Sequence, residues 1–336
     1  MPLLLAFDGN SLTHRAYHAA VHGRLLDGDG RPVWAVKGLV MSIARAAAQL
    51  RPDAIVVGFD CGETSARKAD FPGYKAQRPD KPADLAGQLA EAPGMLREAG
   101  FPVVVPAAYE ADDVLASAAA TARAAGWRAV VVTSDRDSFA LVDDTTSVLR
   151  VRNGGLDRAV LVTAAGLREL YGIEGWQYRD FAALCGDSSD NLDGAKGFGP
   201  ATAAKLLAAV GSLDAAFAAL DVGRDAEVRD AVGAPAASQL ASQQMREIVM
   251  RNRRLMLMRT DLPLPDLDAM RLPIELAGIR RVLSARGIHL GPSLWALTGG
   301  TRPPDPEAMA ALSMFAPVRR VRRAARVPGE GQLALF

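Results

Sequence analysis

LLLAFD (residues 3–8) is five apolar residues shut off by one carboxylate. Two later stretches have the same shape: AIVVGFD at 54–60 and AVVVTSD at 129–135. A short apolar run with no polar face reads as a strand covered by helices on both sides, as in parallel sheets. Helical patterns lie between the runs, at about 33–50, 82–99 and 111–125. VVV at 103–105 reads as a fourth strand. SVLRV (147–151) and AVLVT (159–163) read as a pair joined by the turn signal Asn153-Gly154-Gly155. This alternation predicts an α/β fold with an open, mostly parallel sheet. After about residue 164 the pattern is helical only, with Gly and Pro breaks, to about 297. The expected layout is an α/β domain over 1–165, a helical domain over 166–298 and a flexible tail over 299–336. No internal repeat is visible.

Composition removes several classes of function. At 336 residues and 49% hydrophobic, the chain can bury a sizeable core and is not a disordered one. Its 39 basic and 38 acidic residues leave +1, so any hold on nucleic acid must come from local patches. Arginine far outnumbers lysine and alanine is abundant, which reads first as a GC-rich codon pool. Cys61 and Cys185 are too few for a disulfide scaffold or a thiolate zinc site and point to a reducing cytoplasm. The run at 3–7 is too short for a signal peptide, and nothing approaches a span of about 20 apolar residues. With 4 Trp and 5 Tyr, a broad base-stacking surface is excluded.

The acids carry the chemistry. Asp8, Asp60 and Asp135 each follow a strand, and in an open α/β sheet ligands sit beyond the carboxyl ends of the strands. One such aspartate alone reads as a helix N-cap; three together make a common rim. Glu110-Ala-Asp112-Asp113 opens a helix, where negative charge also suits the helix dipole. Asp137 follows Asp135 closely, and Asp187 and Asp190 begin the helical half. The set is Asp8, Asp60, Glu110, Asp112, Asp113, Asp135, Asp137, Asp187 and Asp190, with no matching set of histidines. Oxygen ligands alone select Mg2+ or Mn2+. Nine acids exceed one such site, so two ions are the natural reading, the arrangement suited to in-line displacement at a phosphodiester.

Two segments supply candidate phosphate contacts. Residues 62–82 hold Arg67, Lys68, Lys75, Arg78 and Lys81, with Tyr74 beside Lys75; a basic loop with an aromatic can grip phosphate and stack a base. GAKGFGPATAAK (194–205) is a glycine-rich turn entering a helix, whose N-terminus attracts anions. The bland readings are a solvated loop and a structural helix corner. Arg246 to Arg259 reads as a helix with a basic face. His14, His18 and His22 share a helical face, but no further His or Cys cluster completes a zinc site. Both cysteines read as small packing residues.

Taken in order, FDGNSLTHRAYHA (7–19), FDCGETSAR (59–67), YKAQRP (74–79), YEADDVLA (109–116), TSDRDSFALV (133–142), ALCGDSSDN (183–191) and GFGPATAAKLL (197–207) resemble the motifs of the 5′-nuclease family. That family comprises the 5′→3′ exonuclease domain of bacterial DNA polymerase I and the flap endonucleases. The resemblance runs from Leu3 to about Leu220 and more loosely to about 297. It implies a PIN-like sheet, then a helical DNA-binding domain with a helix-hairpin-helix-type motif at 194–207. All nine acids match family metal carboxylates, with Asp8, Asp60, Glu110 and Asp112 also serving catalysis. Residues 62–82 would be a helical gateway in which Lys75 and Arg78 clamp the scissile phosphate and Tyr74 stacks on the terminal base. Arg15 would lie near the phosphate. Gly197, Gly199, Thr202 and Lys205 would grip duplex backbone, with K+ as a candidate ion there. His14 stands where Tyr is usual and Cys185 where Met is common, neither at a metal position.

The resemblance implies a monomeric, cytoplasmic, nucleoid-associated nuclease acting on DNA 5′ ends or flaps, without a membrane. With no polymerase segment after it, the expectation is a stand-alone enzyme. The alternatives are a nuclease-deficient DNA flap or junction binder and an aspartate-nucleophile phosphatase. The latter needs Asp-x-Asp after the first strand, where Asp8-Gly9-Asn10 stands. Gln332, Leu333, Leu335 and Phe336 resemble the bacterial sliding-clamp-binding peptide, preceded by five arginines between 319 and 326.

Overall fold

The computed structural model describes residues 1–19, 25–62 and 64–302. His22, the tail beyond 302 and the peptide Gln332, Leu333, Leu335 and Phe336 lie outside the described residues. Among those described, β1 (Leu3–Asp8), β2 (Ala54–Gly58), β3 (Val103–Val104), β4 (Arg128–Thr133), β5 (Thr146–Arg152) and β6 (Gly155–Val162) form one sheet in the order β3-β2-β1-β4-β5-β6. Every pairing is parallel except β5 with β6. The fourth strand is only two residues long, shorter than its apolar run suggests.

The all-apolar pattern has the expected cause. Leu4, Ala6, Val56 and Val131 point into one core, and Leu5, Phe7, Ile55 and Val57 into another. Strand alternation thus feeds two covered faces. Helices α1 (Gly9–Ala19), α2 (Trp34–Leu50), α3 (Ala66–Asp70), α4 (Ala83–Glu98) and α5 (Ala111–Ala124) interleave with the strands. Leu115 and Ala119 of α5 cover the first face; Ile43 of α2 and Met95 of α4 cover the second. The chain passes from β1 outward to β2 and later returns to β4 on the other side. That reversal opens a crevice at the carboxyl ends of β1 and β4.

The helical half holds α6 (Ala164–Tyr171), α7 (Gly175–Cys185), α8 (Pro200–Val210), α9 (Leu213–Asp221), α10 (Ala226–Val232), α11 (Ala234–Ala241) and α12 (Gln243–Leu255). No single helix among the described residues is long and apolar enough to cross a membrane; the bent pair α8–α9 passes by composition only, and its Leu206, Leu207 and Leu213 are buried.

Two segments pack in ways the sequence did not show. Leu272 donates its N–H to Asp53 O at 2.9 Å, and Ile279, Val282 and Leu283 of α13 (Leu276–Ser284) join the core behind Leu5 and Phe7. The end of the helical half therefore covers the sheet. Among the described residues of the 62–82 gateway segment only α3 is helical; Pro72 and Gly73 break it, turns follow to Arg78, and Pro79 and Pro82 keep helix out until α4.

Gly175 sets how closely the start of α7 packs on the segment between β4 and β5. A Cβ there would stand 1.8 Å from the Val142 carbonyl oxygen. Gly175→Ala should lower stability by about 1–3 kcal/mol. Gly87→Ala, in exposed α4 with nothing within 4 Å, should raise it by about 0.5–1 kcal/mol. Denaturant melts of both variants check the contrast, and equal shifts would contradict the close approach.

Candidate metal and nucleic-acid site

The acids meet at the β1–β4 crevice. Asp8 closes β1; its Oδ1 accepts the Ser11 N–H at 2.8 Å and its Oδ2 the Thr133 hydroxyl at 2.7 Å. Asp60 follows β2; it accepts the Ala111 N–H and the Asn10 side-chain amide, both at 2.8 Å. Asp135 follows β4 and accepts the Asp137 N–H at 3.0 Å. The capping reading and the rim reading hold together: each strand-end acid fastens a backbone N–H while standing on the shared edge. Glu110 caps α5 and places Asp112 in its first turn. Asp187 and Asp190 come from the connector between α7 and α8, where Asp187 accepts the Ser189 N–H and hydroxyl.

Like charges crowd this edge. Burial, with Asp60 and Asp135 nearby, pushes the Asp8 carboxyl up to about 7. Asp112 is driven well above the usual carboxylate range by burial and by Asp135 and Asp8, and Asp137 by burial and by Asp135, Asp187 and Asp190. Asp190 is raised by burial and Asp187, against the pull of Lys75 and Arg78. Asp112 Oδ1 is buried with no hydrogen-bond partner. A hard divalent cation is what such a set lacks, so these residues fit one. Among the described residues no three His, Cys, Asp or Glu side chains converge tightly enough to form a finished ion cage. Protein cations reach part of the rim instead.

Lys75 Nζ donates to Glu110 Oε2 at 2.8 Å, and Arg78 pairs with Asp190. Burial works against the Lys75 ammonium, yet Tyr74, Glu110 and Asp190 outweigh it and hold its pKa well above the ordinary lysine value. Burial likewise opposes the Glu110 charge, and Lys75 and Arg67 overcome it, lowering its pKa. Lys75 sits in the left-handed region, φ 57°, with its N–H on Asp190 O at 3.0 Å. Asn191 donates to Gly73 O at 2.8 Å. The basic loop is thus docked on the acids and is not merely solvated.

Two assignments change. Asp113, counted among the metal acids, is fully buried and saturated: it accepts both Arg67 Nη atoms at 2.7 and 2.8 Å and the N–H groups of Glu110 and Arg259 at 3.0 and 2.8 Å. Its lone pairs are used, so it is a structural anchor. Tyr74, expected to stack on a terminal base, is 6% exposed and donates its hydroxyl to Glu110 at 3.2 Å. Its ring is part of the core. Sequence reasoning counted Arg67 among the loop's phosphate-gripping cations and gave no role to Asn10 or Thr133; in the structure they position Asp113, Asp60 and Asp8. A lone Asn after Gly or a Thr closing a strand is too common a signal to single out.

Residues 194–199 lead into α8, whose first turns make up the rest of the glycine-rich segment. Gly197 is exposed at φ 89°, Gly199 caps α8, Pro200 occupies its first turn, Thr202 is half-buried and Lys205 is exposed. Arg15 reaches Asn153 at the β5–β6 turn, 3.2 Å away. The arginines of 246–259 are engaged within the fold: Arg246 with Asp221, Arg253 with Asp214, Arg254 with Asp70, Arg259 with Asp261, and Arg251 over the Phe71 ring.

Residues 3–172 match the model of the 5′-3′ exonuclease N-terminal resolvase-like domain, and 173–275 that of the 5′-3′ exonuclease C-terminal SAM fold. DNA polymerase I of Mycobacterium tuberculosis is 37% identical over 272 residues, which are 81% of this chain and 29% of that protein. Thermostable DNA polymerase I of Thermus aquaticus is 39% identical over 218 residues, 65% of this chain and 25% of that one. The chain thus spans less than a third of the length of these relatives. The T5 D15 protein co-crystallised with metal ions shares the fold at TM-score 0.59 and 18% identity, covering 84% of this chain and 99% of that one. Human GEN1 in complex with Holliday junction DNA aligns at TM-score 0.55 and 16% identity, over 92% of this chain and 71% of that one.

The raised aspartates set a pH dependence. Between the usual aspartate value of 3.8 and about 7, folded Asp8 keeps a proton that the unfolded chain has released. Folding then takes up protons, so stability falls as pH rises through that window. Asp112, Asp137 and Asp190 act in the same direction. In chelator, Tm should drop between about pH 4 and pH 7, and Asp8→Asn should flatten the drop. A Tm that climbs steadily with pH in wild type would refute the crowding.

Proposed function

Because this chain belongs to the 5′-3′ exonuclease family, we propose that it is a structure-specific 5′ nuclease that hydrolyses DNA phosphodiesters at 5′ ends or flaps with two divalent ions, Mg2+ or Mn2+. The observation that carries this is the crowded carboxylate rim with one buried oxygen left unpartnered at Asp112. Asp8, Asp60, Glu110, Asp112, Asp135, Asp137, Asp187 and Asp190 are the residues to hold the ions. Bound there, the ions would supply an acidified water and neutralise charge on the phosphate oxygens.

The chain's own residues do the rest. Thr133 and Asn10 fix the orientation of Asp8 and Asp60. Lys75 and Arg78 bring positive charge to the edge where a phosphate would bind, and stabilise charge that builds on it during cleavage. Gly197, Gly199, Thr202 and Lys205 offer backbone and charge to duplex phosphates at the start of α8, with K+ as a candidate there. Such contacts position DNA without reading its sequence. The enzyme acts as a monomer in the cytoplasm, at the nucleoid, and its C-terminal peptide tethers it to the bacterial sliding clamp.

A 5′-labelled flap substrate tests the reading. Cleavage is expected with Mg2+ or Mn2+ and none in chelator. Asp137→Ala and Asp190→Ala should abolish most cleavage while DNA binding remains. Lys75→Ala should slow single-turnover cleavage roughly 10²–10³-fold. Binding with no cleavage by wild type under any ion would make the protein a junction binder instead.

Removing residues 332–336 should eliminate clamp binding in a calorimetric titration and leave cleavage of free DNA unchanged. Equal clamp affinity in both forms discards the tether, since tethering acts by local concentration and not by catalytic contact.

A further inference from the structure

Beside the acid rim lies a second group of cations with no role in the reading above. Arg150 of β5 stands in register with Thr133, the residue that touches Asp8. Its Nε lies 3.4 Å from Ser134 O, and its guanidinium lies 5.9 Å from the centre of the Phe139 ring. Arg136 sits between Asp135 and Asp137 and is exposed. Arg152, two residues beyond Arg150 on β5, is also exposed. Among the described residues none of the three makes an ion pair with a carboxylate, whereas Arg67, Arg78 and Arg123 do.

The arrangement holds like charges together. Burial lowers the Arg150 pKa, and the neighbouring charges of Arg136 and Arg152 lower it further. Arg136 itself is also opposed by burial, but Tyr178, Tyr171, Asp187 and Asp137 hold its charge in place. Phe139, Tyr171 and Tyr178 form a packed aromatic group, with ring centres 5.4–6.2 Å apart. Guanidinium groups are weakly hydrated and stack on aromatic faces, so they can stand desolvated with their donors free for a phosphate. Arg150 reaches Ser134 from β5, whereas Lys75 reaches Glu110 from the loop after α3, so the two cations approach the acidic edge from different elements.

We propose that Arg136 and Arg150, aided by Arg152, bind a backbone phosphate adjacent to the scissile one on the strand being cut. A strand that lays one phosphate on the acids carries its next phosphates outward along the same edge. Guanidinium groups without a carboxylate partner gain from an anion placed there, since a charge-assisted hydrogen bond is about twice as strong as a neutral one. This arginine post rests on the nuclease reading, and it adds grip and register to it.

The test combines variants with modified DNA. Arg136→Ala, at an exposed position, and the double variant Arg136→Ala/Arg150→Gln are compared with wild type. Flap DNA carries one methylphosphonate, in turn, at each of the two phosphates on either side of the cut. Binding is measured in chelator and cleavage with Mg2+. The double variant should bind flap DNA roughly tenfold to hundredfold more weakly. Its plot of log affinity against log salt should be shallower by about one unit. One methylphosphonate should weaken wild type by a similar factor and leave the double variant unaffected. Wild-type affinity and salt slope in both variants overturn the post, as does equal loss in wild type and double variant from every methylphosphonate. If wild type binds DNA but never cuts it, the nuclease function fails, and the chelator binding comparison still decides the post.

Discussion

Carboxylates gathered at the carboxyl edge of a parallel sheet repel one another, and the rest of this molecule is arranged around that repulsion. The sheet forces the gathering, because parallel strands end side by side. Asp8, Asp60 and Asp135 are therefore brought together by topology and need no long loop to meet. Three kinds of partner offset the charge: backbone N–H groups at helix starts, the Lys75 ammonium on Glu110 and the Arg78 guanidinium on Asp190. What they leave uncompensated is concentrated at Asp112 and Asp137. Those two carry the strongest demand for an added cation, which ties the fold directly to the chemistry proposed for it.

A neighbouring acid serves the opposite purpose. Asp113 is one residue from Asp112, yet one helix step turns it away from the edge and into the protein. There it meets Arg67, which also donates to the Leu255 and Leu257 carbonyls at 2.7 and 3.0 Å. A buried pair of this kind is stable only when its remaining donors and acceptors are satisfied. Here they are, and the result joins α3, the start of α5 and the end of α12. Because α3 leads into the loop that carries Lys75 and Arg78, this node fixes where those cations stand.

The strands and the edge acids were legible in the sequence because both signals are local: an unbroken apolar run and the acid that ends it. The β5–β6 pair was legible from Asn153-Gly154-Gly155 for the same reason. Asp113 was not, since Asp112-Asp113 does not say which carboxylate faces water and which meets an arginine 46 positions earlier. Tyr74 was misread because an aromatic beside a lysine looks like a stacking pair. Its burial follows from contacts with the core that no short window contains. The return of α13 to the sheet was not legible, because the Leu5 and Phe7 face it meets lies far earlier in the chain.

That return of the chain has a consequence for how the protein is made. Strand β1 leaves the ribosome before α13, yet Ile279, Val282 and Leu283 complete the layer behind it. The contact spans most of the chain, and closing so large a loop is slow compared with forming any single helix. Until α13 arrives, the face carrying Leu5 and Phe7 lacks part of its cover. The helical half thus acts as a tether that brings its own end back across the sheet, so the two layers mature as one cooperative unit and not as successive beads.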